Sequence, residues 1–183
     1  MYRFDSWTTP QQKHETAEDF PRTISGTAFN RFLDLCFSEA TAFSFQKGLW
    51  QDSEISSLED ALAPYKLCDF TTLQWFGYDL RSTPPGSEWK MHIHLYEACS
   101  AAKEILKAHL QDIFMGYTQR NDAVPRLTLE DLCFLKGNEI IVGTVAHELI
   151  LHAYPPSKAF TQELQTIGSW EHTGFSPPEL LFG

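Results

Sequence analysis

Leu132-Cys133-Phe134-Leu135-Lys136-Gly137-Asn138-Glu139-Ile140-Ile141-Val142 is the stretch that decides the fold class. Two apolar runs flank a two-residue Gly-Asn step, a spacing that predicts a tight antiparallel hairpin. Upstream, Thr128-Leu129-Glu130-Asp131 reads as a capping-box-like turn. Downstream, a bend at His147-Glu148 leads to a strand over Leu149–Tyr154, which Pro155-Pro156 ends. Ser157 then caps a last helix with Phe160, Leu164 and Ile167 inward and Gly168 as its stop.

Toward the N-terminus, Glu88–Leu95 alternates. Trp89, Met91, Ile93 and Leu95 share one face, and Glu88, Lys90, His92 and His94 the other. One packed and one polar face are expected. Leu73–Leu80 reads as its neighbouring strand across the turn Arg81–Ser87. Between Tyr96 and Tyr117 the positions Cys99, Ala102, Leu106, Leu110, Ile113 and Tyr117 form a helical stripe, so the longest helix is expected there. Phe29, Phe32, Leu33 and Cys36 mark a first helix over Thr27–Ser38, and Ala42–Gln46 a strand. Ser56-Ser57-Leu58-Glu59 opens a second helix, with Ile55, Leu58, Leu62 and Tyr65 apolar and Pro64 at its end.

Residues 1–26 form an arm and loop, in which Tyr2-Arg3-Phe4 is a short strand or a docked arm. Residues 169–183 form a tail ending in Leu180-Leu181-Phe182, which docks on its own domain or on a partner. The 183 residues suffice for one domain with a core of its own. The expected architecture is α+β: an antiparallel sheet of about five strands, with about four helices mainly on one face.

The formal net charge is −10. Such a field repels a phosphate backbone and attracts basic proteins, so direct nucleic-acid binding is disfavoured. No two of Cys36, Cys68, Cys99 and Cys133 have metal-knuckle spacing. Met1–Pro10 lacks the apolar segment of a secretion signal, and no stretch approaches the ~18 apolar residues of a membrane span. A cytoplasmic protein with reduced cysteines and no cofactor is expected.

Chemical motifs are sparse. His147-Glu148-Leu149-Ile150-Leu151-His152 has its histidines five apart, not the four that let a helix present both to one zinc. On a helix that offset turns them about 140° apart. On a strand it puts them on opposite faces. His92 and His94 share a strand face about 6.6 Å apart and would hold a metal if Asp79, His147 or Glu148 joined them. Solvated surface histidines are the plainer expectation. No nucleophile elbow and no phosphate loop occurs. The acid pairs Glu18-Asp19, Glu59-Asp60 and Glu130-Asp131 sit at expected helix starts or in polar loops.

Aromatics are abundant, with 14 Phe, 6 Tyr and 5 Trp, more than one core of this size needs. Several stand beside acids: Trp50 by Asp52, Asp69 by Phe70, Trp75 and Tyr78 by Asp79, Trp170 by Glu171. Aromatic anchors in an acidic surround suit an interface with a basic protein. Asp52, Asp69, Trp75, Tyr78, Asp79, Trp170 and Glu171 are the candidate contacts.

The segment Leu129-Glu130-Asp131-Leu132-Cys133-Phe134 through Gly143-Thr144-Val145-Ala146-His147-Glu148 resembles a stretch of small bacterial proteins, over about a tenth of the chain. In size, acidity and α+β pattern the chain resembles bacterial immunity proteins of polymorphic toxin systems. That resemblance implies a non-catalytic protein that neutralises a cognate basic toxin, often a nuclease. Two alternatives stay open: a metal-dependent hydrolase using His92, His94, His147 and Glu148, and a small-ligand-binding domain with an aromatic pocket.

Overall fold

A computed structural model describes residues 1–4, 23–47, 57–82, 90–115, 128–174 and 176. The expectations for Thr8–Arg22, Ile55, the centre of the 81–87 turn, Trp89, Tyr117 and Leu180–Phe182 lie outside those residues.

The chain is α+β, and its sheet is larger than five strands. Strands β1 (Tyr2–Phe4), β2 (Ala42–Lys47), β3 (Lys66–Thr72), β6 (Met91–Glu97), β7 (Leu129–Lys136), β8 (Glu139–Val145), β9 (Ile150–Ala153) and β10 (Trp170–His172) form one 8-stranded sheet. Its order is β10-β1-β9-β8-β7-β2-β6-β3, and every pairing is antiparallel. The remaining two, β4 (Gln74–Trp75) and β5 (Tyr78–Asp79), make a separate two-stranded hairpin.

The hairpin read from the Gly-Asn step is β7–β8, with Lys136 opposite Glu139. Gly137 has φ +59°, as a type II′ turn requires of its first central residue. The extra strands come from short segments. β1 inserts between β9 and β10, pairing Tyr2 with Ala153 on one side and His172 on the other. The tail thus docks on its own sheet through Trp170–His172.

Four helices, α1 (Gly26–Glu39), α2 (Ser57–Leu62), α3 (Ser100–His109) and α4 (Lys158–Leu164), pack on one face. Phe29, Phe32, Leu33 and Cys36 of α1 are buried at the spacing of one helix face. They join Phe43, Phe45, Tyr96 and Phe134 from the sheet and Leu106 and Phe160 from α3 and α4 in the main core.

Three expectations fail here. The helix over Tyr96–Tyr117 is much shorter: β6 runs on to Glu97, and Leu110 turns extended after His109. Leu110 and Ile113 remain buried, so the stripe persisted in an irregular segment. There the Asp112 carboxylate accepts from the Phe114 N–H at 2.8 Å. Second, Leu73–Leu80 is not one strand but the β4–β5 hairpin, closed by Gly77 at φ +78°. The partner of β6 is β3, with Asp69 opposite His94. Third, the face opposite the helices is covered. The hairpin lies on it, and Trp75 and Phe76 pack with Met91, Ile93, Cys133, Leu135, Ile140 and Val145 in a second core.

Candidate functional site

The end of that hairpin over β7 and β8 is where polar groups gather on an otherwise apolar face. β7 makes it possible by breaking step. Ser44 opposes Cys133 and Gln46 opposes Glu130, so Phe45 faces two residues, Asp131 and Leu132. This is a β-bulge, with Asp131 at φ +56°. Aspartate enters the left-handed region more readily than most non-glycine residues. Thr144 Oγ1 donates to the Leu132 carbonyl at 3.0 Å, satisfying the bulged backbone. The residue read as part of a capping-box-like turn therefore sits in a strand.

Asp131 is buried, 2% exposed, and both carboxylate oxygens are engaged. Oδ1 accepts from the Ala146 N–H at 2.7 Å, and Oδ2 from the Tyr78 hydroxyl at 2.9 Å. Burial raises its pKa, outweighing the lowering by those two donors. Burial also raises the Tyr78 hydroxyl, and Asp131, Glu130 and Glu148 add to that shift, so the phenol keeps its proton.

The expected bend at His147-Glu148 is a 3-10 turn, Ala146–Glu148, closed by Leu149 at φ +56°. It sets His147 beside Tyr78, ring centroids 6.4 Å apart, with Glu148 Oε1 3.9 Å from His147 Nε2. The hairpin is held close above. Phe76 lies against Gly143, where an added Cβ would come 2.5 Å from the ring, and Gly77 lies against the Val145 side chain. Tyr78 is half-buried, whereas His147, Glu148 and Asp79 are exposed. Tyr78 is thus bonded to one carboxylate, Asp131, and feels the charge of two more, Glu130 and Glu148, with Asp79 next in sequence.

The other expected contacts fall elsewhere. Trp75 is 2% exposed and belongs to the second core, so it is no surface anchor. Asp79 is bound by Arg81 through two side-chain bonds, of 2.8 and 2.5 Å, which hold its pKa at about 2. Asp69 lies on β3, 3.1 Å from Lys66 Nζ. Trp170 and Glu171 are on β10 at the opposite edge of the sheet. There Trp170 stacks on Phe32, and Glu171 pairs with Arg3 at 2.5 Å. Asp52 lies outside the described residues. The six described ones do not form one patch.

Nor does the metal constellation assemble. His92 is exposed on β6. His94 is buried on the helix-covered face, 3.5 Å from both Glu59 Oε1 and the Tyr96 hydroxyl. His147 is on the opposite face, against Tyr78. Three strand spacings, about 14 Å, separate β6 from β8. Among the described residues, no three His, Cys, Asp or Glu side chains come together as a metal would need. His152 of β9 instead packs edge-on to Phe76, centroids 5.7 Å apart. Two clefts, of about 570 and 380 Å3, contain one aromatic ring each, Phe29 and Tyr154, not an aromatic cage. Among the described residues, no helix is long and apolar enough to cross a membrane.

Asp131 was missed as a site residue, yet a signal for it exists. In Leu129-Glu130-Asp131-Leu132-Cys133-Phe134 two polar residues interrupt the apolar period, and Leu129, Leu132 and Phe134 all reach the main core. A strand keeps those three on one face only by slipping one residue.

Compared with known proteins, the chain matches no family model, no curated protein and no solved structure.

Proposed function

We propose that this chain is a non-catalytic, acidic protein-binding module that engages a basic protein, in the manner of an immunity protein occluding its toxin. The observation that carries the reading is Tyr78, half-buried, held by its hydrogen bond to Asp131 and within electrostatic reach of Glu130 and Glu148. A rigid aromatic with carboxylates around it suits an arginine or lysine, which gains cation–π and charge-assisted contacts together. The hairpin and the bulge fix the ring in advance, so little side-chain freedom is lost on binding. The net charge of −10 steers a basic partner toward the chain.

The test is recovery of the protein from its native lysate at low salt, followed by association kinetics with whatever basic protein accompanies it. A stoichiometric complex that dissociates as salt rises is expected, and Glu130→Lys/Glu148→Lys should slow association. Association at an unchanged rate in that variant would overturn the assignment of the site.

A further inference from the structure

One neighbour of the Tyr78 ring is a base. The 3-10 turn Ala146–Glu148 sets His147, exposed, with its ring centroid 6.4 Å from that of Tyr78 and the two planes 31° apart. Its Nε2 lies 3.9 Å from Glu148 Oε1. A charge on His147 also acts on Asp131, the carboxylate that Tyr78 bonds.

A neutral imidazole leaves the acidity of this patch as it is. An imidazolium puts a unit positive charge within ion-pair distance of Glu148 and close to the about 6 Å at which a cation meets an aromatic ring. A cation arriving on another protein needs the same ring and the same carboxylate. Histidine is the side chain whose charge changes between about pH 5 and 8. We propose that His147 is a proton-driven competitor for this site: once protonated, it takes the Tyr78 ring and the Glu148 carboxylate from the partner's arginine or lysine, and the partner leaves as pH falls. The proposal rests on the reading of Tyr78 as the anchor.

Other titratable groups surround the turn. From β7 come Glu130 and Asp131, from the hairpin Tyr78 and Asp79, from the turn itself Glu148, and from β9 His152. Asp79 is held by Arg81. Burial raises the Asp131 pKa, so Asp131 also loses charge as pH falls, but it becomes neutral and offers no cation to the ring. His152 meets Phe76 edge-on, not Tyr78. The competing cation is therefore His147. Its proton and the partner exclude one another, and each weakens the other by the same factor.

The probe is an end-blocked peptide of alternating arginine and glycine. Arginine stays protonated far above neutrality, so any pH dependence belongs to the protein. Calorimetric titration of the full chain at about pH 7.5 and about pH 5.5, at one low ionic strength, brackets the histidine range. The dissociation constant should rise about threefold or more at the lower pH, the worth of an exposed cation–π contact. His147→Gln should remove most of that ratio, and His152→Asn should keep it. His147→Lys, charged at both pH values, should bind weakly at both. Circular dichroism checks that each variant keeps the fold.

Tyr78→Leu, with the exposed Glu148→Gln as a second variant, separates this proposal from the reading beneath it. Peptide binding at about pH 7.5 that is absent, or that neither variant weakens, means that Tyr78 is not the anchor, and the proposal falls with that reading. Binding that depends on Tyr78 but is equally tight at both pH values overturns the proposal and leaves the anchor standing. So does a pH ratio that His147→Gln leaves intact.

Discussion

The Tyr78 hydroxyl donates to Asp131 Oδ2 at 2.9 Å, joining a hairpin on one face of the sheet to a bulge within it. Both partners are needed, because Asp131 is buried and its other oxygen already serves the Ala146 N–H. Tyr78→Phe leaves a buried carboxylate oxygen without its donor and should cost about 1–3 kcal/mol, read as a lower denaturation midpoint. Asp131→Asn behaves differently. Burial raises the Asp131 pKa in the fold, so its stabilising contribution is present at acidic pH and lost as pH rises through the folded value. At neutral pH the ionised group is a burden that Asn lacks, while Asn still accepts from Ala146 and tolerates positive φ. Asp131→Asn should therefore be at least as stable as the parent near neutrality. A large loss of stability there would contradict the burial argument.

Gly143 sits beneath Phe76 with no room for a methyl group, the would-be Cβ lying 2.5 Å from the ring. Gly143→Ala must lift the hairpin or distort β8, at about 1–3 kcal/mol for overpacking. Because Phe76 and Tyr78 share that hairpin, the substitution should also weaken binding at the Tyr78 patch without touching a carboxylate. Thermal melts and near-ultraviolet dichroism give the first effect, and association kinetics the second. A fully stable variant with unchanged binding would mean that the hairpin does not set Tyr78.

How much of this was legible in the sequence depended on segment length and on which neighbour each residue meets. The hairpin at Gly137-Asn138 and the apolar stripe of α1 are local patterns and read correctly. β3 and β10 were not local. Tyr2–Phe4, expected as a short strand or a docked arm, is a strand flanked by β9 and β10. The helix expected past His109 shows the converse, since Leu110 and Ile113 keep helical spacing in a segment that Asp112 turns aside. For the site, Tyr78 was singled out by its pairing of ring and acid and is the residue that bonds Asp131, whereas its acid, Asp79, is engaged by Arg81. Trp75, four residues from Asp79, was misplaced because sequence does not say which side of a hairpin meets the sheet.

Thiol chemistry follows burial. Cys36 and Cys133 are inside the two cores. Burial pushes the Cys36 thiol well above its ordinary range and the Cys133 thiol up to about 12. Cys68 is exposed on β3 and Cys99 half-buried before α3. An aromatic disulfide reagent at neutral pH should modify Cys68 first, then Cys99, and reach Cys36 and Cys133 only on unfolding. Cys68→Ser should remove the fast phase. A fast phase surviving that change would place Cys68 in a protected environment.

His94 and His152 should both add slope to the stability curve on the acid side of neutrality. The His94 pKa is lowered from the ordinary 6.5, first by burial and then by Lys66, with Lys47 adding to the effect and Glu59 and Asp69 opposing it. His152 is lowered too, by burial, then by Arg3 and the N-terminal amine. A base with a depressed pKa is neutral in the fold at a pH where the unfolded chain already binds a proton. Both histidines thus favour unfolding as pH falls from about 6.5 through their folded values, and neither changes stability above that window. Denaturant midpoints measured from slightly alkaline to mildly acidic pH should fall across it. His94→Gln, which keeps a polar group facing Glu59 but takes up no proton, should flatten part of the fall, and His152→Asn another part. The two lie on β6 and β9, four strand steps apart, so their effects should add. Asp131 acts in the opposite sense, gaining stability as it is protonated, and His94→Gln leaves that gain in place. A midpoint as steep in the double variant as in the parent would show that other groups carry the acid response.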